Sequence, residues 1–204
     1  MLRQRIEGRY RDRAKLLKKN DQKVQTLQTI FDEIPSTARV LIYGDDLHHL
    51  DELGQELDHM GKYYFKYTGE LDAQKERPTI LKEFRQGIRK ILLAVGCLDE
   101  GIDIPACDVA VFISSSTSER QFIQRRGRVL RTAPGKTSAW IYDYLVYPIL
   151  SARTSDDERR LALSMIDAQY RRINLMVEDA INGIQERQKL DHFLSQRRLN
   201  PYDF

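Results

Sequence analysis

No apolar run in this chain of 204 residues approaches the roughly 18 that a membrane-spanning helix needs, which excludes a transmembrane segment of that kind. The opening stretch MLRQRIEGRYRDRAKLLKKN lacks the apolar core of roughly 7–15 residues found in a secretory signal, so a cytoplasmic protein is expected. Cysteine is scarce. Cys97 and Cys107 are the only two, with no CxxC pair and no nearby histidine ligands, so neither a disulfide framework nor a structural zinc site is implied. Both read as core thiols. Charge of one sign is not in large excess either: 33 basic against 30 acidic residues give a formal net charge of +3, too little to imply a nucleic-acid partner by itself. Internal repeats and low-complexity tracts are absent.

What is present is a composition 41% hydrophobic and 31% charged, that of a soluble globular protein large enough to bury a core without staples. The charge is unevenly spread. Residues 1–20 carry eight Lys or Arg against two Asp or Glu, residues 151–204 carry nine of each, and the middle is slightly acidic. A basic head can meet phosphate or serve as a solvated helix face.

Apolar residues at helical spacing (Val24, Leu27, Ile30, Phe31, Ile34) predict a helix over 21–34, stopped by Pro35. Short runs rich in Val, Ile and Tyr follow at 39–44, 62–67, 90–95, 108–113 and 138–145, separated by helix-length segments at 46–60, 72–87 and 118–130. Strands alternating with helices predict an α/β fold of βαβ units around a parallel sheet. Ligands bind at the carboxyl ends of such strands. Beyond Pro148, Ile166, Tyr170, Ile173, Val177, Ile181 and Ile184 recur at spacings of three and four, predicting continuous helix. The expected organisation is a basic helical segment at 1–37, an α/β lobe at 38–150 and a helical extension at 151–204.

Three segments carry chemistry. In Gln124-Arg125-Arg126-Gly127-Arg128-Val129-Leu130-Arg131, on a helix opened near 119 by a Ser118/Gln121 capping box, Arg125, Arg128 and Arg131 fall near one face. Like charges there repel unless an anion sits among them, and arginine's planar fork suits phosphate. Gly127 costs a helix about 1 kcal/mol relative to Ala and marks a close approach by backbone or ligand. A solvated basic face is the alternative. In Asp99-Glu100-Gly101-Ile102-Asp103-Ile104-Pro105, Gly101 permits a tight turn and Asp103 offers a carboxylate of the kind that binds a ribose hydroxyl, although an ordinary turn reads the same way. In Thr68-Gly69-Glu70, followed by Gln74 to Arg77, a strand-end loop feeds a helix N-terminus whose free amides and dipole favour a phosphate.

Together and in this order, these segments resemble the second RecA-like lobe of superfamily 2 helicases. The resemblance runs from RVLIYG (motif IV) through YTGELDAQKERPTILKEFRQG and LLAVGCLDEGIDIP (motif V) to QFIQRRGRVLR (motif VI), about residues 38–146. The spellings DEGIDIP and QRRGRVLR look most like XPB-type DNA helicases and related restriction or repair translocases. The resemblance implies a RecA-like parallel sheet with flanking helices and a site shared with another lobe. Arg128 and Arg131 match the motif VI arginines that reach the γ-phosphate of ATP, and Gln124 matches the polar residue that couples the lobes. Asp103 matches the motif V acid on the ribose, with Gly101 in its turn. Gln74 and Arg77 match the QxxR that contacts the nucleic-acid backbone, with Thr68 and Gly69 in the adjoining loop. Val95 departs from the pattern: many relatives have Thr or Ser there.

The family's ATPase needs a GxxxxGK[ST] loop and a DExx acid, both from the first lobe. Pro134-Gly135-Lys136-Thr137 contains the letters GKT, but Leu130 stands where the loop needs its first glycine, so this stretch reads as a turn into a strand. With motif IV beginning near residue 38, the chain is expected to be an excised lobe or one whose partner lobe is another polypeptide. The resemblance then implies ATP and Mg²⁺ held mainly through the missing N-terminal lobe, nucleic acid of the DNA type as partner, no membrane partner, and an isolated chain without ATPase activity. The alternative is a non-catalytic module that binds nucleic acid or a partner protein.

Overall fold

The computed structural model describes residues 21–72, 74–95, 107–113, 119–131, 133, 135–151 and 153–199. They divide into two compact units after Tyr144. In the first, α1 (Asp21–Gln25) and α2 (Leu27–Glu33) precede β1 (Val40–Tyr43), α3 (Leu47–His59), β2 (Phe65–Tyr67), α4 (Glu76–Arg85), β3 (Ile91–Ala94), β4 (Val109–Phe112), α5 (Glu119–Val129) and β5 (Trp140–Asp143). The five strands form one parallel sheet in the order β2-β3-β1-β4-β5. The expected α/β fold is therefore present.

The three inner strands are continuous apolar runs, VLIY, ILLA and VAVF, with every residue buried, as helices on both faces of a parallel sheet require. The edge strands are shorter or wetter. β2 pairs through only three residues of the expected 62–67 run, with Tyr63 left 91% exposed, and Trp140 at the start of β5 is half exposed. Tyr43 and Phe112, direct partners on β1 and β4, stack with ring centroids 4.8 Å apart. On α3, Leu50, Leu53 and Leu57 bury one stripe completely, each contributing about 2 kcal/mol. Asp46 caps this helix by accepting from the His49 N–H at 2.9 Å. Leu27, Ile30 and Ile34 share the core of the sheet, so the helical residues before position 38 help build the lobe. Lys23 on α1 is 5% exposed and donates from Nζ to the Ile113 carbonyl at 2.9 Å, tying that helix to the carboxyl end of β4.

At the opposite, amino end of the strands, Arg39 ahead of β1 grips Asp108 ahead of β4. Its Nε and Nη2 donate to the two carboxylate oxygens at 2.8 Å each, its backbone N–H adds a third bond at 2.9 Å, and Nη1 reaches the Arg85 carbonyl at 3.2 Å. The guanidinium holds Asp108 below the usual carboxylate range, against the opposing effect of burial. A depressed folded-state value means that the contribution to stability is present above about pH 4 and is lost as pH falls through that lower value. Arg39→Ala is expected to cost about 2 kcal/mol, about 5 °C in melting temperature, and to flatten the acid limb of a melting-temperature profile from pH 7 to 3. Unchanged melts across that range would show that the clamp contributes nothing.

The second unit contains α6 (Asp156–Val177) and α7 (Gly183–Gln196). Ser155 and Glu158 form a reciprocal capping box at the start of α6. Ala162, Leu163, Ile166 and Tyr170 on α6 pack with Leu194 and Leu199, and the Tyr170 hydroxyl donates to Asp191 Oδ1 at 2.6 Å. The buried Gln169 accepts from the Val146 N–H and donates to the Val146 carbonyl, both at 2.8 Å, fastening the extended segment after residue 144 to α6. The expected continuous helix is corrected here. It breaks after Val177, and Ile181 and Ile184, read as further members of the apolar stripe, are 97% and 78% exposed. Gly183 turns the chain so closely against α6 that a Cβ would lie 1.8 Å from the Val177 carbonyl oxygen. No helix among the described residues is long and apolar enough to cross a membrane.

Candidate functional site

β2 delivers Thr68 and Gly69 at its carboxyl end, with Thr68 buried and Gly69 exposed. Arg77, in the first turn of α4, folds back on this loop and donates from Nη2 to the Gly69 carbonyl at 2.7 Å. Its Nε is buried and has no hydrogen-bond partner among the described residues. Gln74 lies exposed just ahead of the helix. Thr68, Gly69, Gln74 and Arg77 thus belong to one loop-and-helix unit, as expected.

The expectation of free amides at this helix N-terminus is corrected. Asp72 Oδ1 accepts from the backbone N–H groups of Gln74 and Lys75 at 2.9 and 2.7 Å. The Asp72 carbonyl accepts from Glu76 and Arg77, each at 3.1 Å, and Glu76 Oε2 returns to the Asp72 N–H at 2.8 Å. The donors are thus already used by the Asp72 carboxylate and carbonyl, and the carboxylate would repel a phosphate. These backbone amides are therefore not free to meet an anion. The helix-length segment was read as beginning at 72, whereas α4 begins at Glu76 and Asp72 stands ahead of it.

On the other side of β1, β4 leads to α5, where the motif VI residues lie. Gln124 is exposed, Arg128 is half-buried and Arg131, two residues past the helix, is exposed. The fully buried Val129 between the two arginines anchors the last turn. Gly127 is exposed, and a Cβ built there would meet no atom within 4 Å. Among the described residues no backbone makes the close approach expected at Gly127. The Arg125 side chain and the Ser118/Gln121 cap lie outside the described detail.

Residues 135–137 do not form a phosphate loop. Lys136 pairs with Ala133 in a tight turn, its N–H donating to the Ala133 carbonyl at 3.0 Å, and Gly135 has the positive φ of 77° that this turn requires. The Lys136 ammonium donates to the Val129 carbonyl at the end of α5. Gly101 and Asp103, with motif V from Gly96 onward, lie outside the described residues. Val95 is half-buried and packs against the sheet core. No group of three or more His, Cys, Asp or Glu among the described residues is arranged to hold a metal ion.

A wholly parallel five-stranded sheet, with an arginine helix leaving β4 and a polar loop-and-helix unit leaving β2, is the architecture of a RecA-like lobe of the superfamily 2 helicase type. The model of the helicase conserved C-terminal domain matches residues 22–133, more than half of the chain, and the chain belongs to that family. It is 41% identical over 56 residues to the DNA 3'-5' translocase XPB2 of Sulfurisphaera tokodaii, a match covering 28% of this chain and 13% of that protein. It is 25% identical over 163 residues to the putative ATP-dependent RNA helicase MJ1505 of Methanocaldococcus jannaschii, covering 74% of this chain and 20% of that protein. The C-terminal domain of the DEAD-box protein Dbp5 has the same fold, with a TM-score of 0.53 at 21% identity, over 72% of this chain and 78% of that one. The matched segment thus spans a fifth or less of the curated relatives' lengths.

Proposed function

We propose that this chain works as the second motor lobe of an ATP-dependent helicase or translocase. It supplies Arg128 and Arg131 to an ATP site shared with a first lobe, and the Thr68–Arg77 unit to a nucleic-acid track. The observation that carries the reading is the end of α5. Two arginines flank a buried anchor, and the glycine beside them is exposed, with no atom of the described residues within 4 Å of where its Cβ would stand. A helix-weakening glycine on an exposed face, beside two side chains whose planar forks suit phosphate, fits a surface built to be approached.

In this reading, Arg128 and Arg131 donate to phosphate oxygens as negative charge gathers on them, and Gln124 answers to the facing lobe. Asp103, with Gly101 in its turn, takes the ribose. Mg²⁺ neutralises charge on the bound phosphates, and its ligands are assigned to the first lobe. Two arginines, whose planar forks match phosphate oxygens, suit the phosphate half of such a site.

On the track, Arg77 and Gln74 meet the nucleic-acid backbone. Single-stranded DNA is the proposed partner, supported by the XPB-like spelling of motifs V and VI and by the identity to XPB2. Because Arg77 also holds the Gly69 carbonyl, Arg77→Ala is expected both to remove a phosphate contact and to release the loop. Affinity for single-stranded DNA should fall more than about tenfold at low salt, and the slope of log affinity against log salt should drop by about one contact. Arg77→Lys should recover the slope but not the full affinity, since ammonium lacks the second arm. Fluorescence anisotropy with DNA and RNA oligomers over a salt series tests both parts. An unchanged slope and affinity for Arg77→Ala would remove this surface from the track, and tighter binding of RNA would assign the track to RNA.

A further inference from the structure

We propose that Lys136 is a positioning residue for the arginine pair, its ammonium bound to the Val129 carbonyl so that the end of α5 holds one rotational setting. The inference rests on the motor-lobe reading and adds to it a residue outside the family's motifs. Val129 lies between Arg128 and Arg131, so a group fastened to its carbonyl controls the turn from which the first arginine projects and the exit that aims the second. The cation also meets the negative end of the helix dipole.

The base of this strut is firm. The turn from Ala133 to Lys136 leads directly into β5, whose Trp140 N–H donates to the Asp108 carbonyl at 2.9 Å. Asp108 is in turn gripped by Arg39. Burial pulls the Lys136 ammonium below its ordinary value, while the neighbouring Cys107 and Asp108 oppose that shift. Burial also pushes the Cys107 thiol up to about 12, so this thiol is uncharged at neutral pH and the Asp108 carboxylate is the balancing charge. Lys136 thus connects the rigid base of the sheet to the helix end that carries both arginines. A surface lysine has no need of such burial.

Lys136→Met keeps the stem and removes the ammonium; Lys136→Arg keeps a donor. In the whole 204-residue chain, amide exchange at Leu130, whose N–H donates to the Arg126 carbonyl at 3.0 Å, should quicken about fivefold in Lys136→Met. In the protein joined to a first lobe, the same variant should lower kcat about tenfold with KM for ATP within about twofold, and Lys136→Arg should restore most of both readouts. If Arg131→Ala lowers kcat while Lys136→Met changes neither kcat nor Leu130 exchange, the positioning role is refuted and the motor-lobe reading stands. If Arg131→Ala itself leaves kcat unchanged, that reading fails and the inference falls with it. A kcat loss that merely follows the folded fraction measured by circular dichroism is a stability effect and also overturns the proposal.

Discussion

Arg131→Ala is expected to lower kcat for ATP hydrolysis about a hundredfold or more in the protein joined to a first lobe, while the melting temperature of this chain stays nearly unchanged. The physical basis is the separation of the two roles. Arg131 is exposed beyond the end of α5, so its removal empties no core space, and an exposed side chain contributes within about 0.5 kcal/mol to folding. In the proposed reading its guanidinium acts where charge develops on the transferred phosphoryl group, so the loss should appear in kcat with KM little changed. Arg128 is half-buried, and its replacement should combine a similar kinetic loss with a small melting loss. An arginine serving the fold through a buried acid gives the opposite pattern: a cost of roughly 3–5 kcal/mol in the single lobe, with activity per folded molecule preserved. Thermal melts of the chain and phosphate-release assays of the two-lobe protein separate the two.

Gly183→Ala is expected to break the α6–α7 hairpin. Alanine at the first position of a helix would ordinarily help, by up to about 1 kcal/mol. Here the added carbon would lie 1.8 Å from the Val177 carbonyl oxygen and 2.8 Å from its carbonyl carbon, both backbone atoms that move only if the last turn of α6 unwinds. The collision should outweigh propensity, with a net cost of about 3 kcal/mol falling on the second unit. Leu194 then separates from Ile166 and Tyr170, and hydrogen exchange over residues 162–170 and 190–196 should lose protection while β1, β3 and β4 keep theirs. A variant that melts at or above the parent temperature would show that the turn relaxes without harm.

The inner strands were legible because full burial on both faces leaves an unbroken apolar run, and VLIY, ILLA and VAVF stand out against charged surroundings. β2 and β5 were read too long, since Tyr63 and Leu145 look like strand residues whose pairing depends on neighbours that a local pattern cannot see. The helical stripe was extended through Ile181 and Ile184 because spacing alone ignores the Asn182–Gly183 turn, where backbone contact overrides periodicity.

In the site, residue types gave the arginines of α5 and the Gln74–Arg77 pair. The partners of those residues were not legible. Asp72 takes the amides assigned to phosphate, and Lys136, set aside with a false GKT, reaches back to Val129. Each is a contact between a side chain and main chain, and sequence spacing does not show which main-chain groups remain open.

The central claim is that this chain holds half of an ATP site, and steady-state phosphate release from the purified chain tests it most directly. Without a first lobe it has arginines, but its sequence contains no GxxxxGK[ST] loop and no cluster among the described residues is arranged to hold a metal ion, so release should stay at background with ATP and Mg²⁺, with or without DNA or RNA. Addition of a first lobe that restores hydrolysis, followed by its loss in Arg131→Ala, is the outcome the account predicts. Turnover on the order of 1 s⁻¹ from the chain alone, unaffected by Arg131→Ala, would contradict it.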